Sequence, residues 1–226
     1  MKNILLITLL LLIGCTEKSV DIYVDLEEKE GLFYNKNSNN PYTGNTFTLD
    51  EDGLKYCEGN LIDGLMDGLW IWYYKNGNKE SQRNYKNGEL EGVKTEWYES
   101  GNKKSEVKYN NGYRDGLDIV WHENGIKQYE LNYKSGKENG SATQWDMNGN
   151  KFWREDFKDG KRHGKVISWY ENGNKEWESD WKNGNNEGLE ITWYNNGQKK
   201  SEAEYSYASQ ISKKCWDIDG NEEDCN

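Results

Sequence analysis

The chain has little of what fills an ordinary protein core. Leu, Ile, Val and Phe number 39 of 226 residues, and nine of them lie in the first thirteen positions. From Cys15 onward their share is about 14%. A compact domain with an aliphatic core is therefore not expected. Such scarcity with a net charge of −11 is the composition of disordered chains. Proline occurs once, at Pro41, which excludes collagen. Basic residues are outnumbered, 29 to 40, and an acidic chain repels phosphate, so nucleic acid is a disfavoured partner. Histidine occurs twice. What is present instead is aromatic and flexible: 11 Trp, 16 Tyr and 24 Gly. Disordered chains lack such aromatics.

The N-terminus reads as an address. One lysine, Lys2, precedes an apolar run from Ile4 to Ile13. That run is too short to span a bilayer, which takes about 20 residues. A positive start, a short apolar stretch and small residues before a cleavage point are the pattern of a secretory signal. Leu12-Ile13-Gly14-Cys15 resembles the bacterial lipobox. The resemblance implies a signal peptide over 1–14, cleavage before Cys15 and lipidation of its thiol. With Thr16 next, it implies the outer membrane where one exists. The expected location is the bacterial cell envelope, on a membrane through a lipid anchor. Residues 15–30 read as the lipidated cysteine and a charged tether.

Of the other cysteines, Cys215 and Cys225 flank a hairpin-like WDIDGNEED. In an exported protein this suggests a disulfide, stabilising by roughly 3 kcal/mol in the chain-entropy model. Cys57 is left over and reads as a small buried hydrophobe. No Cys/His cluster suggests a metal, and no cofactor is expected.

Self-similarity dominates the rest. Gly68, Gly92, Gly116, Gly140, Gly164 and Gly188 are spaced by 24 throughout. Gly64 and Gly77 begin parallel series with the same period, and a lysine follows two residues after each glycine of the Gly77 series. Trp97, Trp121, Trp145, Trp169 and Trp193 share the period, as does a second aromatic series from Tyr85 to Tyr205. Six regular repeats therefore occupy 61–205. A degenerate capping repeat covers 31–60, and a C-terminal cap covers 206–226, where Trp216 and Gly220 arrive one residue early. Terminal repeats lack a covering neighbour and need different chemistry.

Within 92–115, Val93, Thr95 and Trp97 alternate with Lys94, Glu96 and Tyr98, the period of a strand. Glu99-Ser100-Gly101 reads as a three-residue loop closed by glycine, and Lys103–Tyr109 as the return strand. Asn111-Gly112 begins the next connection. That loop puts Trp97, Lys103, Val107 and Tyr109 on one face, and Lys94, Glu96, Lys104, Glu106 and Lys108 on the other. The expected fold is all-β, an elongated, twisted antiparallel meander of about fifteen strands. The aromatics Trp97, Trp121, Trp145, Trp169 and Trp193 serve as its core, each large side chain burying about 150–250 Å².

The repeated G-x-x-x-x-W-Y-x-x-G-x-K…Y-x-x-G resembles the MORN repeat variant. Bacterial proteins of this kind are labelled YwqK-type antitoxins. The resemblance implies a curved hairpin array that contacts proteins or, in some relatives, membranes. The antitoxin label implies neutralising a partner by binding, and a lipid-anchored form would act as an envelope-side immunity protein.

Catalytic readings find little support. His122 and His163 occupy different repeat slots and read as surface substitutions. The carboxylates Glu106, Glu130, Glu178 and Glu202 read as a solvated face with lysine partners. Asp217, Asp219 and Glu222 lack the ligand spacing of a calcium loop. Trp70, Trp72 and Tyr74 fall on the otherwise charged face and form a candidate contact patch, unless the N-terminal cap covers them. The expected function is a lipid-anchored, non-catalytic scaffold that binds a protein, antitoxin- or immunity-like. The alternative is a glycan- or wall-binding module using exposed aromatics.

Overall fold

Two kinds of turn alternate along the repeats and generate the whole architecture. At Asn111-Gly112 both residues take positive φ, 47° and 76°. This is the type I′ geometry that joins strands through two residues, which glycine adopts without strain. At the other end, Gly101 N–H donates to Tyr98 O and Tyr98 N–H to Asn102 O, both at 2.8 Å. This is the three-residue loop read from the sequence. A chain that alternates these turns can only fold as a meander of hairpins. The computed structural model describes residues 19–36 and 38–225. The signal peptide and Cys15 lie outside them.

Among the described residues one mostly antiparallel sheet of 19 strand segments results: Val20–Asp21, paired beside Gly44–Leu49, and the meander from Gly44–Leu49 to the terminal Glu222–Glu223. Two long strands are split by a bulge, Glu89–Leu90 from Gly92–Trp97 and Lys137–Glu138 from Gly140–Trp145. Counted once each, and without the two-residue edge segments, they give the fifteen strands expected.

The assignment of faces differs from the sequence reading, because each repeat contains two bulges. Trp97 pairs with Lys103, but Glu96 pairs with Ser105, so Lys104 is an extra residue. Side chains alternate with period two, and one extra residue exchanges the faces. Beyond the bulge, Ser105, Val107 and Tyr109 share a face with Glu96 and Lys94. Trp97 shares the other with Lys103, Glu106 and Lys108. The second bulge lies at the Gly116 slot. Val107 pairs with Asp118 but Tyr109 with Arg114, leaving two extra residues there. The same two shifts recur along the array.

The buried face thus carries the Tyr85–Tyr205 aromatic series. Between these rings lie Leu131 at 0%, Ala142 and Val166 at 1%, and Ser179 at 0% exposure. The Trp97 series lies half-buried on the opposite face.

Residues 20–30 are not a tether. Val20–Asp21 pairs in parallel with Thr46 and Phe47. Asp21 caps a short helix, Ile22–Asp25, by accepting from Tyr23 and Val24 N–H. Leu26–Lys29 and Leu32–Asn35 form a separate hairpin. Ile22, Leu26, Tyr42, Cys57, Leu61 and Trp70 bury together as the core of this cap. Apolar residues at 22 and 26 among charged ones are what draw the segment onto the sheet end.

At the other end, Cys215 and Cys225 form a disulfide. There the second bulge shrinks from two extra residues to one: Glu204 pairs with Ser212 and Tyr205 with Gln210. That is why Trp216 arrives one position early.

Candidate functional site

The constant residues of each repeat bind the next repeat. Lys79, Lys103, Lys127, Lys175 and Lys199 place Nζ 5.4–5.9 Å from the ring centres of Trp97, Trp121, Trp145, Trp193 and Trp216. Tyr74, Tyr98, Tyr170 and Tyr194 donate their hydroxyls to the carbonyls of Trp97, Trp121, Trp193 and Trp216 at 2.7–3.0 Å. Asn102 Nδ2 donates to Glu123 O, and Asn124 Nδ2 to Met147 O. On the opposite edge, each tight-turn glycine donates to the preceding turn region, as Gly112 N–H does to Leu90 O at 2.9 Å. Carboxylates of Asp67, Glu91, Asp115 and Glu187 accept from the first turn amides of Asn87, Asn111, Ser135 and Tyr207. These acids precede the bulge glycine at 24-residue spacing, a signal present in the sequence that composition arguments passed over.

The candidate patch of Trp70, Trp72 and Tyr74 is not an open surface. Trp70 is 0% exposed. Its ring lies on Gly59, where a Cβ would come within 2.1 Å of Trp70 Cδ2, and its Nε1–H donates to Asn60 O at 3.0 Å. Trp72 packs between Trp70 and Tyr85, with the Arg83 guanidinium 4.3 Å from its ring centre. Tyr74 is committed to Trp97 O. The one-residue bulge at Glu80 pairs Trp72 with Ser81 and Trp70 with Arg83, which places both on the aromatic face of Tyr85 rather than a charged one, and the N-terminal cap closes over Trp70.

The acids of the outer face are neutralised locally. Glu106, Glu130, Glu178 and Glu202 each pair with the lysine three residues before. Burial would raise the Glu178 carboxyl, but hydrogen bonds from Lys165 and Lys175 outweigh it and hold its pKa low. On the buried face, burial pushes Asp118 up against the opposing charge of Arg114, which bonds it at 2.8 Å. Burial also pushes the Cys57 thiol up. Among the described residues, no group of three or more His, Cys, Asp or Glu is placed to hold a metal ion. His122 Nε2 lies 3.1 Å from Trp145 O, in the slot tyrosine fills elsewhere. His163 takes the slot of the turn-binding acids.

The fourth copy departs from the rule. Asp146 stands in the tyrosine slot and accepts from Asn148 and Asn150 N–H in its own loop, both at 2.9 Å. It has no proton to give the next repeat. On the buried face of that same junction, Trp153 and Trp177 stack at 5.9 Å with planes 16° apart.

A model of the MORN repeat variant family matches five segments, 66–87, 90–111, 114–135, 162–183 and 186–207. The fourth copy is the one passed over inside that span, although it folds as the others do. No curated protein matches the chain. Fold, period and repeated contacts agree with the family match, and the chain belongs to the MORN repeat variant family.

Proposed function

We propose that this repeat scaffold is a lipid-anchored, non-catalytic protein of the bacterial cell envelope that binds another protein, in the manner of an immunity factor. The observation that carries the binding reading is the division of labour within each repeat. Constant residues are spent on the neighbouring copy, and the remaining surface positions are free to vary toward a partner. Extended repeat arrays present such surfaces. The glycan reading needs open aromatic faces, whereas lysines lie over Trp97, Trp121, Trp145 and Trp193. The anchoring reading rests on Leu12-Ile13-Gly14-Cys15.

Affinity purification from envelope extract tests the binding. One protein should be enriched stoichiometrically over a control with substituted surface positions, and failure to enrich any would refute the reading. For the anchor, Cys15→Ala should accumulate the unprocessed form and lose acyl label. An unchanged mature band would refute lipidation.

A further inference from the structure

The fourth repeat places apolar side chains where its siblings place polar ones. The slot of Met147 holds Glu99, Glu123, Glu171 and Asn195 in other copies. The slot of Phe152, the extra residue of the first bulge, holds Glu80, Lys104, Gln128, Glu176 and Lys200. Both exchanges are exposed: Met147 is 69% and Phe152 44% accessible. Exposing large apolar groups on an array otherwise polar at these slots costs solubility. Together with Val120, Tyr129 and Trp145, and with the polar His122, Gln128 and Gln144 between them, they line an open recess of about 490 Å³. Its rim includes Asp146, a carboxylate ionised at neutral pH as exposed aspartates ordinarily are, which accepts from Asn148 and Asn150 N–H.

We infer that this recess is the docking site for a protein segment carrying a large apolar side chain next to a lysine or arginine. The apolar walls recognise the first, and the ionised Asp146 together with the net negative charge of the chain selects the second. A buried aromatic or aliphatic anchor beside a complementary charge is how small contact areas gain affinity. The site rests on the reading of the array as a protein-binding scaffold and gives it a location.

The test exploits the repeat. Met147→Glu with Phe152→Lys restores residues that sibling copies carry in the same slots, so the fold has precedent for both. Amide chemical shifts of the labelled protein are followed during titration with phenethylammonium, and with 3-phenylpropionate as the anionic counterpart. The expected result is shift changes at Val120, Trp145, Met147 and Phe152. The cation should bind more tightly than the anion, and the double variant should lose about tenfold or more in affinity. Scattered shifts, no preference for the cation, or undiminished binding by a folded variant would overturn the site. Envelope affinity purification with both forms separates the two levels. A partner retained by the variant refutes this recess and leaves the scaffold reading standing. A recess that binds the probe in a chain that captures no partner refutes the scaffold reading instead.

Discussion

Individual residues are decisive where the backbone leaves no alternative. Gly59 occupies a slot that holds Arg83, Val107 or Leu131 in other copies, and it is glycine only because Trp70 lies flat on it. Gly59→Ala should destabilise the chain by about 1–3 kcal/mol through overpacking, measured by urea denaturation. Substitution to alanine at the tight-turn glycines would act through backbone strain instead. Glu178 is a residue-scale probe of pH. Its carboxyl ordinarily titrates near 4.5 and is lowered in the fold, with 13% of the side chain exposed. The unfolded chain therefore binds its proton first on acidification. The stability this contributes is present above about pH 4.5 and is lost as pH falls through the lowered value. Glu178→Gln should flatten the decline of stability across that interval, read from melting temperatures between pH 3 and 6.

At the level of elements, the hairpin was legible and its two faces were not. The glycine loop, the Asn-Gly turn and the strand alternation all follow from residue types with a known backbone preference. The second bulge is marked by its glycine, but the one-residue bulge leaves no such mark. Its slot holds Glu80, Lys104, Gln128, Phe152, Glu176 and Lys200, and nothing in the chemistry of these side chains says that the residue is extra. One unseen residue moved Val107 away from Trp97 and turned Trp70 from a candidate contact into a core side chain. The joints between hairpins are also element-scale. Tyr98→Phe removes one hydroxyl-to-carbonyl bond to Trp121 and should cost about 0.5–1.5 kcal/mol. Because contacts run only to the next copy, increased hydrogen exchange should be confined to the loops near 98–102 and 122–126.

For the whole molecule, stability is a chain of nearest-neighbour terms closed by two unlike ends. The N-terminal end is closed by burial, with Ile22 and Leu26 brought onto Leu61 and Trp70. The C-terminal end is closed covalently across a sequence separation of 10. Replacing Cys215 and Cys225 by serine should cost about 2–3 kcal/mol in the chain-entropy model. The loss should appear as fraying of Ser209–Trp216 while the central copies keep their protection, followed by hydrogen exchange. Simultaneous loss of protection along the whole sheet would contradict the one-dimensional picture.

The amino-acid sequence by itself determined the period, the turn positions, the all-β class and the disulfide, since each follows from local spacing and residue type. Only the tertiary structure decided which aromatics form the buried face, that residues 20–30 cap the sheet, and that the fourth copy opens an apolar recess. The physical reason is parity. A strand shows alternation but not which side is inside, and a single bulged residue exchanges the two sides without disturbing a 24-residue repeat.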